Sequence, residues 1–175
     1  MEEGADGDSE AIVIAYGSNL SSGAKSSSQA FGEVVKALTG HSLIITKISR
    51  LWRSQAWPNA QDPAYVNAIL VIRTQLQPLD LMHVLHGFER DAGRRRDAQL
   101  NAPRVLDLDL IAYGREVMKG ELVLPHPRAH ERAFVMGPLA EVMPGWVHPV
   151  SGKAARELYE SAPVGRDAYP LEPAR

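Results

Sequence analysis

One short segment of the chain alternates apolar and acidic residues with a period of two. Leu106, Leu108 and Leu110 fall on one side of the segment, and Asp107 and Asp109 fall on the other. Successive side chains of an extended strand point to opposite faces, so the pattern predicts a half-buried strand. The two carboxylates would share one face, roughly 6.5–7 Å apart, since the rise is about 3.3 Å per residue. A chain with this segment must build a sheet around it.

The two neighbouring carboxylates have two interpretations. An isolated Asp-x-Asp pair is more often the solvated face of an amphipathic strand, because charged residues are mostly exposed. Asp is a poor strand former, however, which favours a pair retained for chemistry. Mg²⁺ is usually held by one or two carboxylates plus substrate phosphates, and it would relieve the repulsion between Asp107 and Asp109. Arg104, just before the strand, could reach an anion at the same site.

The segments around this strand alternate between strand and helix patterns. We expect a central apolar strand at 11–16 ended by a turn at 17–20, a helix at 28–38, a strand at 41–54, a strand at 65–76, and a helix from Pro78 to Gly93. With the acidic strand the order is β-α-β-β-α-β, which predicts a ferredoxin-like α+β fold. Its antiparallel sheet would carry the helices on one face and leave the other free for a site. An extended segment at 122–127 and helices at 131–142 and 151–161 follow.

Composition bounds the domain organisation and the class of partner. The length of 175 residues suits one domain, which we place at 11–162 between a disordered acidic tail at 1–10 and a loose, proline-rich tail at 163–175. The net charge of -2 argues against broad binding to nucleic acid or anionic membranes. No apolar run approaches the roughly 20 residues that span a bilayer, and the acidic start does not resemble a signal peptide. We therefore expect a cytoplasmic protein.

Several polar side chains fall close to the acidic strand in the predicted fold. Three consecutive arginines at 94–96 are often a solvated surface run, but beside the aspartates they could clamp phosphates. His126 lies in a proline-framed loop, whose fixed backbone angles preorganise side chains for binding. Tyr65 and Asn67 share a strand face, where the Asn amide could pair with the edge of a heterocycle. Trp57 offers a flat lid.

The sequence contains neither a P-loop nor the set of protein-kinase motifs. Any use of ATP must therefore depend on metal ions, arginines and histidine. From the residues alone, we predict a Mg²⁺-dependent enzyme that acts on a polyphosphate and has a second pocket for a flat polar molecule.

Five motifs also share an order and a spacing with a known family. They are Tyr16-Gly17-Ser18-Asn19-Leu20, Trp52-Arg53-Ser54 with Tyr65-Val66-Asn67, Gly93-Arg94-Arg95-Arg96, Pro103-Arg104 with Asp107-Leu108-Asp109, and Leu124-Pro125-His126-Pro127-Arg128 with Arg132-Ala133-Phe134. Together they resemble the 6-hydroxymethyl-7,8-dihydropterin pyrophosphokinase family over about residues 11–149. The fourth and fifth motifs are the most specific in combination.

The resemblance implies a reaction and a set of residues. Pyrophosphate would pass from ATP, the co-substrate, to the hydroxymethyl group of a reduced pterin, giving AMP in a step of folate biosynthesis. Two Mg²⁺ ions would be held by Asp107 and Asp109, which with Arg94 and Arg104 form the implied catalytic set. The implied ATP-binding residues are Glu89, Arg94, Arg96, Arg104, His126 and Arg132. The implied pterin-binding residues are Ser54, Gln55, Trp57, Tyr65, Asn67, Asn101 and Phe134. The expected partners are these small molecules, and we expect the protein to be a monomer.

The chain departs from the family pattern in the loops around the implied pterin pocket. Gln55 and Ala56 replace a frequent proline pair, and Pro58 replaces a glycine. Asn101 stands where many relatives carry an aromatic residue that covers the pterin, so Trp57 could supply the cover instead. His86 stands where some members use Gln near ATP.

Two alternative functions stay open on the sequence alone. One is another metal-dependent nucleotidyl- or glycosyltransferase that uses Asp107 and Asp109, although it has no counterpart for the pocket of Tyr65, Asn67 and Phe134. The other is a ferredoxin-like binding module in which the aspartates are only surface residues, since a fold does not imply a function. Binding of Mg·ATP through the acidic strand would separate the module from the enzymes.

Overall fold

We describe the protein from a computed structural model, which places residues 10–19, 27–41, 43–92 and 106–172. The elements in chain order are β1 (Ile12–Asn19), α1 (Ser27–Thr39), β2 (Ile44–Ile48), β3 (Trp52–Ser54), β4 (Tyr65–Arg73), α2 (Pro78–Asp91), β5 (Asp107–Tyr113), a 3-10 turn (Ala129–Glu131), α3 (Ala133–Val142), α4 (Ala155–Ser161) and β6 (Tyr169–Pro170). The predicted acidic tail, apart from Glu10, and the predicted loop that carries the arginines at 94–96 lie outside the described residues.

The strands form one antiparallel sheet with the order β5-β1-β4-β3-β6, and β2 also pairs with β4. The α+β class and the ferredoxin-like order are confirmed. β1 lies inside the sheet, and it is buried from Ile12 to Tyr16, as its apolar pattern predicts. The turn predicted at 17–20 was wrong, because β1 continues to Asn19. Its backbone pairs with β4 on one side and β5 on the other, and this pairing overrides the turn-forming composition.

The long strand predicted at 41–54 is instead two strands, β2 and β3, which both pair with β4. Ser49 lies between them and explains the break. Its backbone N–H donates to the Ile69 carbonyl at 3.0 Å, and its hydroxyl accepts the Ile69 N–H at 2.9 Å. Because a side chain takes the place of a backbone acceptor here, the regular ladder is interrupted and β3 continues as a separate short strand.

Each face of the sheet has its own buried core. Ile14, Leu70 and Leu108 lie on the face covered by α1 and α2, which confirms that these two helices share one face. Val13 and Ile69 lie on the opposite face, where α3 and α4 cover them. The sheet face that was expected to be free of helices is therefore partly covered by α3 and α4. No helix in the four described ranges is long and apolar enough to cross a membrane.

The C-terminal segment differs from its prediction as a loose tail. β6 pairs with Trp52 and Arg53 of β3, and the Leu171 N–H donates to the Leu51 carbonyl at 2.7 Å. Pro170 suits this position because an edge strand tolerates a residue without an N–H. The last helix also begins at Ala155 rather than at residue 151, after Gly152 with a φ of 69°.

Candidate active site

The register of the sheet sets three chemically distinct residues in a row. Gly17 of β1 pairs with Asp107 of β5 on one side and with Asn67 of β4 on the other. A Cβ atom at Gly17 would lie 3.8 Å from the Asn67 Oδ1 atom and 3.8 Å from the Asp107 Cβ atom. The missing side chain therefore opens a shared space above Gly17, which the carboxylate and the amide both border. Asp109 pairs with Ala15 in the next row.

A cavity of about 370 Å³ occupies this space, on the sheet face that α3 and α4 cover elsewhere. Its volume is within the range of small-molecule sites, about 300–1,000 Å³. It brings together most of the predicted site residues that the structure describes: Asp107, Asp109, His126, Arg132, Ser54, Gln55, Trp57, Tyr65, Asn67 and Phe134. Arg94, Arg96, Asn101 and Arg104 lie outside the described residues, so their roles stay predictions.

The acidic strand is held with both carboxylates toward the cavity. Leu108, between the aspartates, is 2% exposed on the opposite face, whereas Asp107 and Asp109 are half-buried. The buried Glu89 carboxylate of α2 accepts the Leu108 N–H at 2.8 Å. Glu89 thus supports β5 from behind the strand and is not among the residues that line the cavity. Its predicted contact with ATP stays a prediction.

His126 faces the acidic pair as a neutral ring. Burial, assisted by the positive charge of Arg132, lowers the pKa of His126 to about 4, against the smaller opposite effect of Asp107. The Arg128 backbone N–H donates to the His126 Nδ1 atom at 3.2 Å, so the ring proton belongs on Nε2. The Nε2 atom lies 3.9 Å from the Asp109 Oδ2 atom. Because the ring is uncharged at neutral pH, this contact is not an ion pair.

The opposite side of the cavity carries an oriented amide. The Asn67 Nδ2 atom donates to the Ser54 hydroxyl at 3.0 Å, and both residues are buried. With the Nδ2 atom on Ser54, the Oδ1 atom is the end of the amide that faces the space above Gly17. A buried acceptor of this kind selects a ligand that presents an N–H group.

Two aromatic rings at the cavity each have an arginine beside them. Phe134 is half-buried, and the Arg132 guanidinium lies 5.8 Å from its ring centroid. Trp57 is 50% exposed at the rim, and the Arg128 guanidinium lies 5.2 Å from its ring. Both distances suit cation–π contacts. Arg128 shares the proline-framed loop with His126, where the sequence indicates side chains preorganised for binding, but it was not assigned to a substrate. Gly17 was missed, and its signal was a glycine that interrupts an apolar strand.

The oxygen ligands at this site suit a Mg²⁺ ion that is bound by the protein and the substrate phosphates together, rather than by protein ligands alone. No group of three or more His, Asp, Glu or Cys residues that could hold a metal occurs among the described residues. Asp107 and Asp109 offer hard oxygen ligands on one strand face. Mg²⁺ takes one or two carboxylates and completes its shell with phosphate and water, which this arrangement allows.

Comparisons with known proteins show which proteins the chain is similar to. A family model described as 7,8-dihydro-6-hydroxymethylpterin-pyrophosphokinase (HPPK) matches residues 13–144. The 2-amino-4-hydroxy-6-hydroxymethyldihydropteridine pyrophosphokinase of Synechocystis is 41% identical over 66% of the chain and 59% of its own length. The folic acid synthesis protein fol1 of Pneumocystis carinii is 34% identical over 95% of the chain. The chain spans only 22% of that relative's length.

The fold also has counterparts among solved structures. A crystal structure of Plasmodium falciparum HPPK-DHPS with pteroate aligns with a TM-score of 0.66 and 14% sequence identity. The alignment covers 86% of this chain and 42% of the other. At this identity the likeness supports the fold alone.

Proposed function

The chain belongs to the 7,8-dihydro-6-hydroxymethylpterin-pyrophosphokinase family, and on that premise we propose that it transfers pyrophosphate from ATP to 6-hydroxymethyl-7,8-dihydropterin. The products are AMP and the pterin diphosphate, in a step of folate biosynthesis. One observation carries the proposal beyond the family: the acidic pair and the oriented amide of Asn67 border the same cavity. A site for pyrophosphoryl transfer to a pterin needs both a place for metal-bound phosphates and a place for a flat heterocycle.

The acidic side is the proposed site of the triphosphate. Asp107 and Asp109 would hold two Mg²⁺ ions, which when bound supply charge neutralisation and polarisation of the phosphates. Arg132 supplies a guanidinium that can pair with phosphate oxygens. The neutral His126 can donate a hydrogen bond from its Nε2–H group to a phosphate oxygen without adding charge beside Asp109. Arg94, Arg96 and Arg104 complete the proposed phosphate-binding set.

The amide side is the proposed site of the pterin. The Asn67 Oδ1 atom, which borders the space above Gly17, accepts an N–H from the edge of the heterocycle, while the Nδ2 atom of the same amide donates to Ser54. Phe134 offers a face for stacking, and Trp57 covers the ring from the rim. Gln55 and Tyr65 border the same space, and Asn101 stays a predicted contact.

The reaction joins the contents of the two sides. The pterin hydroxyl oxygen forms a bond to the β-phosphorus of ATP, and the bond from that phosphorus to the oxygen bridging the α-phosphate breaks. AMP leaves with that oxygen, and the hydroxyl proton is released. The residues of this chain contribute by holding the two substrates in line, because such transfers depend mainly on positioning and on stabilisation of charge.

The test is product identification with the whole chain, Mg²⁺, ATP and 6-hydroxymethyl-7,8-dihydropterin. We expect AMP and the pterin diphosphate to appear in equal amounts and only when Mg²⁺ is present. ADP in place of AMP would overturn pyrophosphoryl transfer. No nucleotide turnover by folded protein would favour the binding-module alternative.

The remaining expectations from the sequence concern the oligomeric state, the location and the partners of the protein. We propose a monomer in the cytoplasm that acts on small molecules and binds neither nucleic acid nor membranes, consistent with a net charge of -2. Size-exclusion chromatography with light scattering tests the first of these expectations, and cell fractionation tests the second.

A further inference from the structure

We propose that residues 164–171, which we call the C-terminal brace, position the pterin-facing side of the cavity, with Gly165 and Asp167 as positioning residues. The brace lies beyond the residues 13–144 that the family model matches. Neither Gly165 nor Asp167 lines the cavity. The inference rests on the proposed function, because it concerns binding of the pterin.

The backbone of the brace joins the two elements that carry the pterin side. At one end, β6 pairs with Trp52 and Arg53 of β3, the strand that ends at Ser54. At the other end, the Val164 carbonyl accepts the Ala133 N–H at 2.8 Å, at the start of the helix that carries Phe134. The brace therefore sets the spacing between β3 and the first turn of α3.

Asp167 holds the loop that follows β3. Its Oδ2 atom accepts the Gln55 backbone N–H at 2.6 Å. Hydrogen bonds to a carboxylate are stronger than those between neutral groups. Gln55 is the first residue of the loop that carries Trp57. The bond to Asp167 therefore holds the start of the loop that forms the rim of the cavity.

Gly165 packs against the ring of Phe134. The residue has a φ of 71°, a conformation that L side chains rarely adopt. A Cβ atom there would overlap the Phe134 Cδ1 atom and lie 3.0 Å from its Cε1 atom. The backbone of the brace thus packs directly on the ring that we propose to stack on the pterin, and any side chain at this position must displace that ring.

A purely structural role for the brace makes a different prediction. If the brace only stabilised the fold, its variants would lower the melting temperature and change the KM values of both substrates alike. If it positions the pterin side, the variants raise the KM for the pterin and spare the KM for ATP. The ratio of the two KM values therefore separates the alternatives.

The chain offers a matched pair of glycines for this test. Gly152 has a φ of 69°, and a Cβ atom there would meet nothing within 4 Å, whereas one at Gly165 would meet Phe134. Gly165→Ala and Gly152→Ala therefore share the backbone strain and differ in the collision with the ring. We expect Gly165→Ala to raise the KM for the pterin about tenfold or more, with the KM for ATP within about twofold. Gly152→Ala should leave both KM values unchanged.

A surface substitution keeps the test valid if Gly165→Ala does not fold. Asp167→Ala removes the acceptor of the Gln55 N–H, and we expect the KM for the pterin to rise about tenfold. Asp167→Asn keeps an acceptor oxygen and should restore most of the lost affinity. Arg166→Ala changes an exposed neighbour in the same turn and should behave as wild type.

The outcomes separate a failure of the proposed positioning role of the brace from a failure of the proposed function. Wild-type protein that makes no pterin diphosphate overturns the proposed function and, with it, the role of the brace. Active wild-type protein with unchanged KM ratios in Gly165→Ala and Asp167→Ala overturns the brace alone. Equal effects of Gly165→Ala and Gly152→Ala, or no rescue by Asp167→Asn, also contradict the positioning role.

Discussion

The two sides of the cavity are built in different ways. The strand wall, Asp107 and Asp109 of β5, depends on alternation within seven residues and on pairing with a neighbouring strand inside the sheet. The braced wall, made of Ser54, Gln55 and Phe134, depends on contacts between distant parts of the chain. The Gln55 N–H and its acceptor Asp167 are 112 residues apart in sequence.

The difference in construction suggests that one wall serves metal binding and the other serves recognition of the substrate. A strand paired along its length with a neighbour holds its side chains at fixed intervals, which suits carboxylates that must share metal ions. A wall formed by a short strand, a loop and a helix start can change shape with modest sequence changes, which suits recognition of a substrate. We therefore expect changes in the strand wall to reduce turnover and changes in the braced wall to alter pterin affinity.

The largest expected effect is at the strand wall. Asp109→Asn removes one of the two proposed metal-binding carboxylates, so we expect kcat to fall at least a hundredfold, by roughly 3 kcal/mol or more in transition-state stabilisation. The fold should be retained, because the residue is half-buried and lies on the polar face of β5. AMP formation and circular dichroism measure the two expectations, with the exposed Glu116→Gln as control. Turnover like that of the wild type would contradict the metal assignment.

The next effect separates the two sides of the cavity by substrate. Asn67→Ala removes the oriented amide, so the KM for the pterin should rise about 10–100-fold while the KM for ATP stays constant. Steady-state kinetics with each substrate varied in turn provides both values from one protein. A rise in the KM for ATP instead would mean that the two sides of the cavity are reversed.

Packing beneath the braced wall gives a third prediction, now for stability. A Cβ atom at Gly137 would lie 2.7 Å from the Trp52 Cζ3 atom and 3.0 Å from the Tyr159 Cε2 atom. Gly137→Ala should therefore cost about 1–3 kcal/mol in the free energy of unfolding. Gly32→Ala, in a helix with open space around the position, should raise that free energy by about 0.5–1 kcal/mol. Urea unfolding of both variants checks the opposite signs, and equal signs would contradict the packing of α3 on β3.

The smallest expected effect concerns the attachment of β3 to α3. The Glu141 carboxylate accepts the Arg50 N–H at 3.0 Å and the Trp52 indole N–H at 2.7 Å. Burial alone would raise the pKa of Glu141, but these bonds and the Arg50 guanidinium outweigh burial and lower it. A carboxyl with a lowered folded pKa stabilises the protein above its unfolded pKa, and this contribution is lost as pH falls through the folded pKa.

Glu141→Gln tests this attachment by its pH dependence. At pH 7 we expect the variant to be about 1 kcal/mol or less below wild type, because the carboxylate is partly solvated. The gap should narrow as pH falls below about 4.5, the ordinary value for Glu, since the wild-type carboxyl then becomes protonated. Melting temperatures of both proteins between pH 7 and pH 3 measure the gap. A gap that widens toward low pH would contradict the lowered pKa.

The contrast between local alternation and contacts between distant residues also explains which features the sequence could predict. The alternation of Leu and Asp fixes the face on which Asp107 and Asp109 lie, and the structure confirms that face. The break at Ser49 was not predictable, because it depends on a serine hydroxyl accepting the N–H of Ile69, 20 residues later. The continuation of β1 through Gly17 depends on two partner strands and not on local composition.

The C-terminal brace shows the same limit most clearly. The prolines and small residues of the surrounding segment 163–175 predict a loose tail when only local preferences are considered. Its order comes from pairing with β3, from the contact of Gly165 with Phe134 and from the bond of Asp167 to Gln55. None of these partners is near it in sequence, so the pattern of the segment itself contains no sign of them.

The most direct test of the central claim follows the β-phosphorus of ATP through the reaction. ATP labelled with ³²P at the β-position is incubated with the protein, Mg²⁺ and 6-hydroxymethyl-7,8-dihydropterin, and the products are separated. If the cavity aligns the pterin hydroxyl with the β-phosphorus, the label appears in the pterin product and the AMP is unlabelled. Label that remains in ADP, or a pterin product without label, would contradict the account.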